Sequence, residues 1–247
     1  MTLQGQVAIV TGASRGIGKA IAAEFIREGA VVYGCGRRAE SLNAVAAELG
    51  DQLIPFVCHV GKAEDIERLA LAAETRHGRV DILVNNAATN IAQGPCLTFT
   101  DAQFDKMVEV NLKSVYRLVQ RLAPGMCARG SGAILNIASV AGLRPQPESL
   151  LYSMTKAALI MMTQSYALEL GPRGVRVNAI APGLIQTQLS EYYWKNDARR
   201  EAFLGQQPIR RLGQPEEIAA LAVLVVSGRL GYLTGQTLVM DGGYTLT

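Results

Sequence analysis

Tyr152 and Lys156 stand four residues apart in the run Tyr-Ser-Met-Thr-Lys, a spacing that puts both side chains on one face of a helix. A phenol beside an ammonium is a proton-transfer pair. Free tyrosine has a pKa of about 10, too high for ready exchange at neutral pH, and a nearby positive charge favours the tyrosinate and lowers it. Such a pair suits protonation of a carbonyl oxygen while hydride arrives at the carbon, or the reverse reaction on an alcohol. Ser139, close behind the apolar run Ala133–Ile137, could hydrogen-bond the same oxygen and hold it beside Tyr152.

Hydride needs a carrier, and a second cluster suits one. The first apolar run ends in Thr11-Gly12-Ala13-Ser14-Arg15-Gly16-Ile17-Gly18. Gly12 would allow a tight turn, Gly16 close approach of backbone to a phosphate, and Gly18 tight helix–strand packing. Free N–H groups at the helix start would then face a pyrophosphate, helped by the helix dipole. The second apolar run ends in Gly34-Cys35-Gly36-Arg37-Arg38. An acidic residue about 20 positions after the glycine turn binds the ribose 2′-hydroxyl of NAD. Gly36 occupies that place, leaving room for a 2′-phosphate that Arg37 could pair with, and Arg15 is a second candidate clamp. The cofactor expected is NADP(H). The alternative for Arg37 and Arg38 is a solvated strand end.

These groups must be positioned by the elements between them. Strand-length apolar runs recur at Val7–Val10, Ala30–Tyr33, Leu53–Val57, Ile82–Val84, Ala133–Ile137, Val175–Ile180 and Thr237–Met240. They are continuous rather than alternating, which predicts strands buried on both faces. Amphipathic stretches separate them: Gly16–Glu28, Glu40–Leu49, Ala63–Arg76, Asp101–Cys127 (which Pro124 should bend or end) and Ser149–Leu170. Strand–helix repetition predicts an α/β fold, a doubly wound parallel sheet of about seven strands with helices on both faces. No linker or repeat divides the chain, so residues 1–247 read as one dinucleotide-binding domain. Ligands of such sheets lie beyond the carboxyl ends of the strands, where the polar motifs fall. The segment 184–207, with Tyr192, Tyr193 and Trp194, reads equally as a lid over the substrate or as a surface helix with its aromatics packed inward. Arg144 could recognise an anionic group or serve as a surface loop arginine.

The whole pattern resembles the short-chain dehydrogenase/reductase family in its classical form. The resemblance rests on the TGxxxGIG turn, Asn85-Asn86-Ala87-Ala88 after the fourth strand, Asn111 within a helix, Ser139, Tyr152 and Lys156. It continues through Pro182-Gly183-Leu184-Ile185-Gln186-Thr187 to the ending Tyr232-Leu233-Thr234-Gly235-Gln236 and Asp241-Gly242-Gly243, covering essentially the whole chain. It implies a catalytic group of Asn111, Ser139, Tyr152 and Lys156, with Lys156 also on the nicotinamide ribose and Asn111 holding a water that links Lys156 to solvent. It further implies that Gly12, Ser14, Arg15, Gly16, Ile17 and Gly18 hold the pyrophosphate side and that Val60, Asn86 and Ala87 hold the adenosine side. Pro182, Gly183, Ile185 and Thr187 would cradle the nicotinamide. The substrate implied is a small carbonyl compound or alcohol; 3-oxoacyl-acyl-carrier-protein reductases and NADP-dependent carbonyl reductases are the similar groups. An NAD-preferring sugar or steroid dehydrogenase is the alternative, and the closing segment implies a homotetramer. Two departures stand out. His59 replaces the Asp that usually meets the adenine amino group, where a neutral imidazole could still accept one hydrogen bond. Ala88 replaces a common Gly.

Composition narrows the rest. A net charge of +3, with Lys and Arg dispersed, excludes the basic stripe of a nucleic-acid-binding protein. Cys35, Cys58, Cys96 and Cys127 form no CxxC pair, and with only His59 and His77 beside them no metal site is expected. No apolar stretch reaches the ~20 residues of a membrane span, and the first residues run directly into a strand pattern. The expected location is the cytoplasm. Two other functions share this fold: non-redox chemistry such as halohydrin dehalogenation, and cofactor sensing without catalysis. The intact glycine turn and Lys156 argue against the first, and the complete set of four polar residues against the second.

Overall fold

The computed structural model of the protein describes residues 1–246. Seven strands, β1 (Val7–Thr11), β2 (Val31–Gly36), β3 (Leu53–Val57), β4 (Ile82–Asn85), β5 (Gly132–Ile137), β6 (Val175–Pro182) and β7 (Thr237–Met240), form one sheet in the order β3-β2-β1-β4-β5-β6-β7. Every neighbouring pair is parallel. The chain winds outward from β1 to β3, returns to place β4 beside β1, and winds the other way to β7. That reversal opens a crevice between the carboxyl ends of β1 and β4.

Successive strand residues point to opposite faces, and helices cover both. Ala8 and Val10 of β1 join Ile21 and Phe25 of α1 (Gly16–Arg27) and Ile218 and Val223 of α9 (Pro215–Val226). Val7 and Ile9 face Leu69 of α3 (Ala63–His77) and Leu118 and Leu122 of α5 (Ser114–Arg129). This double cover explains the continuous apolar runs. The two edges depart from the expectation: Val57 of β3 is 48% exposed and Val239 of β7 43%, because outermost strands have no helix over part of their surface. The remaining helices are α2 (Ala39–Leu49), α4 (Asp101–Val108), α6 (Leu150–Leu170), α7 (Glu191–Trp194) and α8 (Asp197–Leu204). Among the described residues no helix is long and apolar enough to cross a membrane.

The stretch read as one helix over Asp101–Cys127 is two, α4 and α5, joined by a π-helical turn at Glu109–Lys113. Pro124 does not end α5, which continues to Arg129. The proline is exposed, and so is Gln120, whose carbonyl loses its partner to water there. Leu118, Leu122 and Met126, all buried, hold the helix on the sheet across that gap.

Candidate active site

Ser139 follows β5 and caps a short 3₁₀ turn, Val140–Gly142, its Oγ accepting a hydrogen bond from the Ala141 N–H at 3.1 Å. That turn lies directly on α6. A Cβ at Gly142 would stand 2.6 Å from the Lys156 carbonyl carbon, so only glycine lets the Ser139 turn approach the helix this closely. Across the contact Ser139 hydrogen-bonds the Tyr152 hydroxyl. Lys156 is 3% exposed; its Nζ donates to the Ile137 carbonyl at 2.7 Å and lies 5.5 Å from the centre of the Tyr152 ring.

The electrostatics differ from the expected lowering of the tyrosine pKa. Burial pushes Tyr152 up to about 12, and the bond from Ser139 offsets this only in part. The same burial lowers Lys156 to about 8. Each group loses more by leaving water than it gains from its neighbour. At neutral pH the phenol therefore keeps its proton, as a donor to a carbonyl oxygen must.

This has a measurable consequence for stability. Between about pH 8 and 10.5 an unfolded lysine still holds the proton that Lys156 has released in the fold. The unfolded chain then binds more protons, and stability rises with pH. Tyr152 acts in the opposite sense above pH 10, where the unfolded phenol ionises first. Urea unfolding from pH 7 to 9.5 should thus show the wild type gaining stability relative to Lys156→Met as pH rises. A constant difference would mean that Lys156 titrates as in water.

Asn111 sits in the π turn, 2% exposed and behind this group rather than on the cavity. Its Oδ1 accepts from the Thr89 N–H at 2.8 Å, and its Nδ2 donates to the Thr89 carbonyl at 3.0 Å and to Thr155 Oγ1 at 3.1 Å. One side chain thereby ties the loop after β4 to α6, one residue from Lys156.

The glycine turn fits a pyrophosphate. Gly12 and Gly16 have φ of 70° and 53°. A Cβ on Gly18 would meet the Gly12 carbonyl oxygen at 2.3 Å and Asn86 Nδ2 at 2.4 Å. Helix α1 begins at Arg15 in extended conformation with no side-chain cap and no acidic residue in its first turn, leaving its first N–H groups open to an anion. Thr11 Oγ1 accepts from the N–H groups of Asn86 and Ala87, both at 2.9 Å, while Asn86 Nδ2 donates to the Thr11 carbonyl at 2.8 Å. The Asn86 amide thus braces the glycine turn itself. Arg15 is bound to Gln188. Arg37 and Arg38 are exposed, and their side chains make no hydrogen bond or ion pair with any described residue. A Cβ at Gly36 would lie 3.5 Å from Ser14 Oγ, in ordinary contact. Val60 is buried in the turn after β3, and His59 Nδ1 already accepts the Gly61 N–H at 3.1 Å. In a neutral His59 ring the other nitrogen then carries the proton, and the acceptor expected for an adenine amino group is taken.

A cavity opens beyond the strand ends. Ile17, Asn86, Ser139, Tyr152, Lys156, Pro182, Gly183, Ile185 and Thr187 all line it. Gly12, Ser14, Arg15, Gly16, Gly18, Arg37, Val60 and Ala87 lie outside it, on the turns after β1, β2, β3 and β4 and the start of α1. The 184–207 segment folds over the cavity as α7 and α8, with its aromatics engaged on the protein. Tyr193 Oη is 2.5 Å from Ser149 Oγ, Tyr192 Oη donates to Glu148 at 2.6 Å, and Trp194 Nε1 donates to the Thr187 carbonyl at 2.8 Å. Arg144 reaches the Tyr244 carbonyl at 3.1 Å and Gln206 at 3.2 Å and stacks on the Tyr244 ring. It joins the substrate-side loop to the C-terminal turn.

Comparison with known proteins gives this architecture its family. The family model described as enoyl-(acyl carrier protein) reductase matches residues 12–245. The chain belongs to the short-chain dehydrogenase/reductase family. Its similarity to dehydrogenase/reductase SDR family member 4 of Sus scrofa is 41% identity, covering 98% of this chain and 88% of the relative. Nodulation protein G of Rhizobium sp. (strain N33) is 38% identical, covering 99% of this chain and 98% of the relative. The crystal structure of a short-chain type dehydrogenase/reductase from Mycobacterium marinum superposes with a TM-score of 0.92 at 32% identity, covering 99% and 97% of the two chains. The protein is thus an oxidoreductase of a family that uses NAD(P)(H). Several of the residues that shape the short-chain dehydrogenase/reductase site here leave no mark in the sequence. Thr89 and Thr155 carried no signal, because their role is to meet Asn111 across the fold. Gly142 looked like any loop glycine.

Proposed function

We propose that the protein is an NADP(H)-dependent oxidoreductase that interconverts a carbonyl and a secondary alcohol, with Tyr152 transferring the proton. The observation that carries this reading is the Ser139–Tyr152–Lys156 group converging on one wall of a cavity whose opposite side is the β1–β4 crevice. Bound there, the nicotinamide would supply or accept the hydride. Ser139 and Tyr152 offer two O–H groups to a substrate oxygen, orient it, and donate the proton from Tyr152 Oη as negative charge develops. Lys156, held on the Ile137 carbonyl, keeps a positive charge within reach of the phenol at neutral pH. Asn111 positions α6 through Thr155. The walls formed by α7 and α8 keep bulk water from the reacting atoms.

For the cofactor, the absence of an acid at position 36 and the free guanidinium of Arg37 support NADP(H). A charge-assisted pair to a 2′-phosphate contributes roughly 1.5–3 kcal/mol. Arg37→Ala should therefore weaken NADPH binding by about 10- to 100-fold and leave NADH nearly unchanged. Gly36→Asp, whose Cβ would be in ordinary contact with Leu42 Cδ2 at 3.4 Å and Ser14 Oγ at 3.5 Å, should push the preference toward NADH. Fluorescence titration of both nucleotides checks this, and equal affinities in the wild type would overturn it. NADPH oxidation with a panel of β-ketoesters, diketones, steroids and sugars tests the activity itself. Absence of turnover across the panel with either nucleotide would remove it.

A homotetramer is the assembly we propose. It is supported by apolar side chains left outward on α6 and beyond, Met161 at 61%, Leu168 at 80% and Tyr232 fully exposed. Gel filtration with light scattering would reveal a monomer if this is wrong.

A further inference from the structure

The cavity makes a second demand on its ligand, apart from the carbonyl. Asn90 lines it, and the Asn90 Oδ1 is shielded from solvent with no hydrogen-bond partner among the described residues. The loop carrying it is fixed from both sides. Asn111 holds both backbone groups of Thr89, and the Gly94 N–H donates to the Glu148 carbonyl at 3.0 Å. Asn90 therefore cannot readily swing out to water, and a shielded, unpartnered amide oxygen is costly to the fold. Gln146, on the loop stiffened by Pro145 and Pro147, lines the same cavity and likewise has no hydrogen bond to a described residue. The rest of the lining is mostly apolar, among it Val140, Leu184, Leu189 and Phe203, with Asn86, Thr187 and Ser190 as further polar residues.

The two polar regions are chemically distinct. Ser139 and Tyr152 present O–H donors and suit the carbonyl oxygen. Asn90 Oδ1 is only an acceptor and cannot serve a carbonyl; it needs an O–H or N–H from the ligand. We propose that Asn90 is a specificity-determining residue and that the preferred substrate class is the hydroxy ketone, or in the reverse direction the diol, with an apolar body. The carbonyl would lie at Ser139 and Tyr152, the hydroxyl would donate to Asn90, and the apolar part would fill the remaining walls. This rests on the activity proposed above.

The test compares matched ketones: acetophenone, 2-hydroxyacetophenone and 2-methoxyacetophenone, together with propiophenone, 3-hydroxypropiophenone and 3-methoxypropiophenone. The methoxy compounds control for bulk and for the electronic effect of oxygen on the carbonyl, because they have no donor. In the wild type, kcat/KM for the better hydroxy ketone should exceed that of its plain and methoxy counterparts by about 10-fold or more. In Asn90→Ala the ratio should fall toward one. The asparagine side chain makes no hydrogen bond to a described residue whose loss would disturb the fold. A purely structural role would lower all the ketones together and leave the ratio intact. Equal values for hydroxy, plain and methoxy ketones in the wild type, or an unchanged ratio in Asn90→Ala, would overturn the inference while the oxidoreductase reading stood. Failure to reduce any ketone with either nucleotide would overturn both.

Discussion

Replacing Tyr152 with phenylalanine is expected to lower kcat by about 10²- to 10⁴-fold, the usual contribution of a positioned general acid. The variant removes one oxygen and keeps the ring. That ring packs with Leu151, Met107 and Ala92 beneath the cavity, and phenylalanine retains those contacts. Nothing else in the site depends on the hydroxyl except its bond with Ser139, whose Oγ still accepts from the Ala141 N–H. NADPH affinity and the near-ultraviolet circular dichroism should consequently stay close to wild type while turnover collapses. This separation gives the experiment its meaning. A loss of NADPH binding would indicate general damage to the site, and unchanged turnover would show that the proton comes from elsewhere.

The second large effect concerns Gly18, and it runs against helix propensity. Alanine in place of glycine in a helix ordinarily stabilises by up to about 1 kcal/mol. At Gly18 the new methyl would overlap the Gly12 carbonyl oxygen at 2.3 Å and Asn86 Nδ2 at 2.4 Å. The first of these is backbone, held in a turn with positive φ, and cannot rotate away. Overpacking of this kind costs roughly 1–3 kcal/mol, so Gly18→Ala should lower Tm by several degrees for a chain of this size. It should also weaken nucleotide binding, since relief of the overlap requires the glycine turn to shift. Gly125→Ala is the internal control. It lies within α5, where the nearest atom is Arg129 Nη1 at 3.4 Å, an ordinary van der Waals contact, and there the same change should be neutral or stabilising. Calorimetry should show a lowered Tm for Gly18→Ala and an unchanged or raised Tm for Gly125→Ala. A neutral or raised Tm for Gly18→Ala would show that the turn is loosely held.

These effects trace back to features of different legibility. The strands could be read because both faces of the sheet are covered, which makes each strand a continuous apolar run. The reading weakened where that cause weakens, at β3 and β7. The amphipathic period of Asp101–Cys127 announced a helix but not its π turn, because one extra residue in the ladder scarcely alters the pattern. Asn111 was noticed through resemblance alone. Its position depends on Thr89, 22 residues earlier, and Thr155, 44 residues later.

What the sequence determined by itself is the local chemistry: a glycine turn between strand and helix, a Tyr and a Lys one helical turn apart, and the order of elements that makes a parallel sheet. Each depends on neighbours within a few residues, where spacing fixes geometry. The tertiary structure decided how those groups behave. Burial moved Tyr152 and Lys156 toward their neutral forms, contrary to what adjacency alone suggested. A missing Cβ at Gly142 set how near Ser139 comes to α6, and the Gly61 N–H took the His59 acceptor. The folding of the 184–207 segment over the strand ends completed a cavity that Asn90 also lines. Desolvation and close contact arise between residues distant in the chain, so their outcome is fixed only when the fold brings them together.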